Sequence, residues 1–456
     1  MMVGLDALLE EGRLRAIALK RPVLVSRSRP VPDPADPVSL FAGADAEEPW
    51  RVFWCQPSRG EWIVGIGAAS ILRGSGDRRF VQTKEGLRSL MTDALVEAPG
   101  IRGVGPLALG GFRFDPSARV SEEWRGYGDG FLVLPRVCYA GNKEGTWITE
   151  NLVIHPDGFD KGASSDIVTV GADGGQSGKS SDDVESEAVA RKRWRRSVDR
   201  VLKAIRAGEV EKVVLARRVM ARNLPSLSIE RVLSRLIDID PECTVFALAG
   251  NGTTFLGATP EPVLKVSGTK VECVCEAGSA PRGSTLSEDR RLGEALLADA
   301  KERREHSLVV NAVAESLNGL CTNLQWQETP EILKLRNVQH LSTTFHGLNT
   351  RRYHALDFVE HLHPTPAVSG VPRDKAVRLI GEIEEMDRGW YGGLVGWIDA
   401  SGQGEFTIAL RSALLQSHTA TLYAGAGIVE GSDPDREYAE TGFKLQTMMS
   451  ALELEG

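Results

Sequence analysis

Residues 244–259, TVFALAGNGTTFLGAT, place two apolar, β-prone runs on either side of Asn251-Gly252. Asn-Gly supplies the left-handed backbone of a two-residue turn, so the stretch reads as a β-hairpin. PVLKVSGTKVECV, residues 262–274, follows at once as a second hairpin. Two hairpins in succession commit this part of the chain to antiparallel sheet and exclude strictly alternating βαβ units. Helical patterns flank them: 183–207, ending at the C-cap residue Gly208, then 287–318 beginning at Ser287, then 355–361 and 373–386, and a last helix at the end of the chain. Further strands read at KVVLARRV, at 338–346, and at GGLVGWIDA, EFTIALRSALL and TATLYAGAGIV. The class this implies is α+β, antiparallel sheets with flanking helices.

Residues 1–157 add more strand patterns, RPVLVSRS, WRVFWCQP, EWIVGIGAA, LALGGFRFDP and GFLVLPRVCYA, with one helix around 83–97. They read as a sheet-rich scaffold. Residues 158–188 are rich in Gly, Ser and Asp and read as a long loop or linker before a second, more richly patterned part at 189–456. Within that loop, GGQSGKSS imitates a phosphate-binding P-loop. The pattern needs a glycine five positions before Gly178, and Asp173 stands there instead. An acid would repel phosphate, so the motif is rejected.

The net charge is −8, from 54 Lys and Arg against 62 Asp and Glu, which argues against a nucleic-acid binder. The one basic run, RKRWRR at 191–196, lies on a helix whose apolar positions Trp194, Val198, Val201, Leu202 and Ile205 keep helical spacing; its charges are a solvated face. Six cysteines are scattered. Cys273-x-Cys275 has no second pair at metal-ligand spacing, so all six read as reduced thiols of a cytoplasmic protein. No run approaches ~20 apolar residues, which excludes a membrane-spanning helix.

Two helices carry matching acidic pairs. Glu437 and Glu440 are three apart with Lys444 four further on; Glu302 and Glu305 repeat the spacing, and their stripe continues to Val309 and Ala312. Taken singly, Glu440 and Lys444 form an ordinary surface i,i+4 pair. Taken together, the pairs suggest four carboxylates at the margins of two buried faces, converging on one cation. Oxygen ligands without His or Cys suit a hard ion such as Mg²⁺.

Over 186–452 the chain resembles the chorismate-utilising enzymes, whose fold is that of anthranilate synthase component I. The resemblance rests on EKVVLARR (211–218), FLGATPE (255–261), EAGSAPRG (276–283), KERREHSLVV (301–310), HPTPAVSGVPR (363–373), WYGGLVGWID (390–399), IALRSA (408–413), AGAGIVEGSDP (424–434) and EYAETGFK (437–444). HPTPAV together with KVVLAR is most similar to isochorismate synthases; anthranilate synthases more often read Thr-Gly-Thr-Val at 365–368. The resemblance implies Mg²⁺-dependent conversion of chorismate to isochorismate for menaquinone or siderophore biosynthesis, and no glutaminase subunit. It implies Lys212 as the base that activates water, which requires the neutral amine, and Glu261 as the acid, which must be protonated at working pH. It implies that Glu305 and Glu440 hold Mg²⁺, with Glu302 and Glu437 supporting through water. Arg411 and Tyr391 would grip the pyruvyl carboxylate, Lys444 would add positive charge, and Ala367 and the backbone at Gly278, Gly425 and Gly427 would border the substrate. His306 and His363 are polar candidates for the same pocket. A salicylate synthase and a non-catalytic binding module are the alternatives.

Overall fold

A computed structural model describes residues 5–32, 34–43, 50–159, 186–224, 227–250 and 252–454. Most of the 158–188 loop, with the P-loop lookalike, lies outside the described residues, as does Asn251 of the first hairpin turn. The two hairpins form as read. Thr244–Gly250 pairs antiparallel with Thr253–Thr259, and Pro262–Ser267 pairs with Lys270–Pro281. Gly252, at φ 76°, takes the left-handed backbone the turn requires.

The hairpins enter different sheets. Among the described residues, one sheet has 13 strands and the other 10. In the larger sheet, Lys212–Ala221 lies beside Thr419–Ile428, then Ser412–Gln416, Thr253–Thr259, Thr244–Gly250 and Arg51–Gln56. In the smaller, Val338–Leu348 lies beside Lys270–Pro281, then Pro262–Ser267, Gly404–Ile408, Leu394–Asp399 and Leu107–Phe112. Strands from the first 157 residues therefore complete both sheets. An aromatic core joins them: Trp54 and Phe255 of the larger sheet share one cluster with Phe131 and Trp397 of the smaller and with Trp124 and Trp390. Among the described residues the strands of both sheets pair antiparallel except Val23–Pro30 with Leu95–Glu97, so the class is α+β with antiparallel sheets, as expected.

Several local features differ from the sequence reading, among them the helix Ile229–Ile239, which it did not include. The helical run 287–318 is two helices, Leu286–Ala298 and Ala300–Leu317. Asp299, at ψ 118°, leaves the helix and its carboxylate accepts from the N–H groups of Lys301 and Glu302, capping the second helix. The helix placed around 83–97 runs Arg79–Met91, and Leu95–Glu97 is a strand. A first helix, Leu5–Leu19, was not foreseen; it seats Leu8 and Ala16 against Val23, Val25 and Ile154.

Candidate active site

The site is a pocket between the two sheets, closed at its rim by the two helices that carry the acidic pairs. Glu261, Glu305, Glu440, Lys444, Arg411, Tyr391, Ala367, Gly278, Gly425 and Gly427 all line it, together with Glu276 and His340. Lys212, Glu302 and Glu437 stand one layer behind.

Lys212 opens the strand Lys212–Ala221 and is fully buried. Its Nζ lies 3.0 Å from Oε1 of Glu305. Gly427 on the neighbouring strand makes room for this pair: a Cβ there would sit 2.0 Å from Glu305 Oε1 and 3.1 Å from Lys212 Cε. Gly370, at φ 142°, packs equally closely, since a Cβ would meet the Lys212 carbonyl oxygen at 2.1 Å.

Glu261 follows the strand Thr253–Thr259, just before the pairing of the next strand slips at Pro262/Leu264. Its carbonyl accepts from Ile408 N–H at 3.1 Å and from the Thr407 hydroxyl, which pins the backbone and leaves the carboxyl for the pocket. Burial drives the Glu261 carboxyl well above the ordinary carboxylate range, and the neighbouring acidic group of Glu276 adds to this, against the opposing pull of Lys212 and Lys444. Burial thus favours the protonated form of Glu261.

On the first acidic helix the Asp299 cap puts Glu302 in the first turn, with Glu302, Glu305 and His306 buried. Asp433 caps Pro434–Ala451 in the same way. Lys301 reaches between the two helices, its Nζ 3.0 Å from Glu302 Oε1 and 2.8 Å from Glu437 Oε1. Glu302 Oε2 also accepts from Ser279 N–H at 3.0 Å. Lys444 Nζ lies 2.5 Å from Glu440 Oε1 and donates to the Gly425 carbonyl at 2.9 Å. Burial works to raise Glu440, but Lys444 holds it below the usual range; burial and the Glu440 charge push Glu437 up to about 7.

Three lysines thus serve four carboxylates, three of them buried and Glu440 part-exposed, and the surplus negative charge and all-oxygen donor set fit a hard divalent cation. The carboxylates do not form the single converged cage expected from their spacing. Among the described residues no group of three or more Asp, Glu, His or Cys side chains is gathered closely enough to hold a metal. Glu305 and Glu440 face the pocket while Lys301 ties Glu302 to Glu437 behind it.

The opposite side of the pocket is cationic. Arg411 is buried, and its φ of 45° is a left-handed backbone rare for a residue with a side chain. Its guanidinium donates to His340 Nε2 at 3.1 Å, and His340 Nδ1 lies 2.9 Å from Ser279 Oγ. Burial, with Arg411 beside it, holds His340 neutral, as an acceptor toward the arginine. Tyr391 stacks on Tyr423 at 5.2 Å, and a Cβ on Gly425 would press on the Tyr391 hydroxyl at 3.1 Å. His306 and His363 do not line the pocket. Both nitrogens of His306 are used, on the Ala277 carbonyl and the Thr343 hydroxyl, while His363 turns its Nε2 to the Arg113 and Phe114 carbonyls and keeps Nδ1 buried away from the pocket.

Sequence reasoning missed Glu276, His340, Ser279 and Lys301. Glu276 and His340 sit in alternating strands whose period assigns a face but not a pocket over that face. Lys301 carried a usable signal, since it directly precedes Glu302.

All six cysteines are free thiols, and Cys273 and Cys275 are buried without partners of metal-ligand type. Among the described residues no helix is long and apolar enough to cross a membrane.

The profile of the family described as "Chorismate binding enzyme" matches residues 11–453, so the likeness extends well beyond 186–452 into the first sheets. The isochorismate synthase MenF of Bacillus subtilis is 34% identical over 449 residues, covering 96% of this chain and 95% of that protein. The salicylate biosynthesis isochorismate synthase of Pseudomonas aeruginosa is 35% identical over 456 residues, covering 96% and 92%. Among solved structures, the menaquinone-specific isochorismate synthase MenF of Escherichia coli superposes with a TM-score of 0.74 at 25% identity, covering 98% of this chain and all of that one. Anthranilate synthase component I of Streptococcus pneumoniae, at 21% identity and a TM-score of 0.65 over 85% of this chain and 92% of that one, shares the fold. With its matching motifs, its pocket and a family match over nearly its whole length, the chain belongs to the chorismate-binding enzymes.

Proposed function

We propose that this protein is an isochorismate synthase, which moves the ring hydroxyl of chorismate from C4 to C2. The observation that carries the reading is one pocket holding a buried carboxylic acid, Glu261, and two cations, Arg411 and Lys444, for a substrate with two carboxylates. Lys212 takes a proton from water, whose oxygen bonds to C2. The ring double bonds shift, the C4–O bond breaks, and Glu261 protonates the departing hydroxyl, which leaves as water. Lys212 ends as the ammonium and Glu261 as the carboxylate, and solvent returns one proton between them.

Arg411 and Tyr391 grip the pyruvyl carboxylate, where the planar guanidinium fork matches the two oxygens. Lys444 adds positive charge, while Ala367 and the glycines at 278, 425 and 427 let the ring approach the backbone. Mg²⁺ suits the acidic helices: Glu305 and Glu440 would hold it, Glu302 and Glu437 would support it through water, and bound there it neutralises the ring carboxylate. The isochorismate would supply menaquinone or siderophore biosynthesis in the cytoplasm without a glutaminase subunit. We read residues 1–157 as scaffold, 158–188 as a linker and 189–456 as the catalytic part.

The test is incubation with chorismate in Mg²⁺ and in EDTA, with products separated by chromatography. Isochorismate formed only with Mg²⁺ is the expected result. Salicylate with pyruvate would make the protein a salicylate synthase, and no turnover would leave a chorismate-binding module.

A further inference from the structure

Glu276 has no role in the chemistry above, yet it is among the most unusual side chains in the pocket. It lies on the strand Lys270–Pro281, is 7% exposed, and lines the same cavity as Glu261. Its Oε1 is buried with no hydrogen-bond partner among the described residues. A buried carboxyl oxygen without a partner is costly, and such atoms persist where a ligand supplies the missing bond. Its neighbours place it. The backbone N–H of Glu276 bears on the Glu261 carboxyl, and the charges of Arg411 and Lys444 act on its side chain. Glu276 therefore lines one pocket with Glu261, Arg411 and Lys444, close enough to feel the charges of both cations.

We propose that Glu276 is a positioning residue that accepts the hydrogen bond of the substrate's ring hydroxyl at C4 and so turns a lone pair of that oxygen toward Glu261. An alcohol oxygen can be protonated only along a lone pair. If its O–H is free to rotate, much of its time is spent with hydrogen, not a lone pair, facing the acid. A fixed acceptor on the far side removes that freedom, and misplacement of a reacting group is expensive in rate. The proposal rests on the reading of Glu261 as the acid. It adds no covalent step: the proton still passes from Glu261 to the C4 oxygen as that C–O bond breaks.

The experiment compares wild type, Glu261→Gln, Glu276→Gln and Glu276→Leu with chorismate under saturating Mg²⁺, with folding checked by near-UV circular dichroism. Wild-type turnover abolished by Glu261→Gln establishes the underlying reading. Glu276→Leu should then lower kcat on the order of 10- to 100-fold while KM moves less than about threefold. Glu276→Gln, whose amide oxygen still accepts, should stay within about fivefold of wild type. Unchanged kcat in Glu276→Leu, a loss confined to KM, or a lowered KM from release of Arg411 would each overturn the proposal while sparing Glu261. Should the leucine variant not fold, the glutamine variant decides: a fall in its kcat as large as that of Glu261→Gln refutes a positioning role. A wild type inert toward chorismate with a live Glu276→Leu comparison impossible overturns both readings together.

Discussion

Lys212 Nζ and Glu305 Oε1 lie 3.0 Å apart, both buried, in a space that exists because residue 427 has no side chain. A methyl group at 427 would overlap the carboxylate oxygen at 2.0 Å. Gly427→Ala should therefore separate the pair, lower turnover at least 100-fold, and destabilise the fold by about 1–3 kcal/mol. Steady-state kinetics with chorismate and denaturant titration check both.

Lys212→Met removes the proposed proton acceptor and leaves Glu305 buried without the amine 3.0 Å from its Oε1. The expected result is a rate loss of about 10²- to 10⁴-fold. Breaking a buried pair also costs about 3–5 kcal/mol. The double variant Lys212→Met/Glu305→Gln should recover much of the stability and none of the rate, which separates charge burial from chemistry.

Lys301 clasps Glu302 and Glu437 across two helices. Lys301→Met should lower the thermal midpoint, because two carboxylates lose the cation they share at 2.8–3.0 Å. Added Mg²⁺ should then raise the midpoint of the variant more than that of wild type, and thermal melts with and without Mg²⁺ read this directly.

Burial pushes the Glu276 carboxyl up to about 8, against Arg411 and Lys444. The folded protein therefore keeps this proton at pH values where the unfolded chain has released it. The Glu276 contribution to stability therefore falls as pH rises from about 4.5 toward 8. Glu276→Gln has no proton to lose, so its stability relative to wild type should be greater at pH 8 than at pH 5. Equal differences at both pH values, measured by urea unfolding, would refute the direction.

Arg411→Lys keeps the charge and loses the planar fork. KM for chorismate should rise by roughly tenfold or more, with a smaller change in kcat, since a carboxylate grip made before and during the reaction is uniform binding.

The hairpins were legible because period-two apolarity and Asn-Gly are local signals, and both hairpins stand where they were read. The break at Asp299 was not legible, because the good helix formers Ala298, Ala300, Lys301 and Glu302 surround it and only the capping bonds to Lys301 and Glu302 reveal it. Of the site, the acidic pairs were legible from spacing, and Lys212, Glu261 and Arg411 from motif resemblance. How the carboxylates are shared among lysines was not, because it depends on two helices meeting. Glu276 was hidden by its own strand: Val271, Cys273 and Cys275 face inward on alternate positions, which assigns Glu272 and Glu276 to the outer face. That face is open at Glu272 and roofed by the pocket at Glu276, a distinction made by distant segments.

Arg51–Gln56 is hydrogen-bonded to Thr244–Gly250, and Leu107–Phe112 to Leu394–Asp399. The two halves of the chain are therefore laced through each other like the sides of a zip, once in each sheet. The reaction centre is not a cassette that could be cut out or exchanged between proteins. Cleaving the backbone between the halves should leave a nicked particle that still elutes as one species, while the catalytic half made alone would bare a raw sheet edge on both layers and seek another strand to cover it.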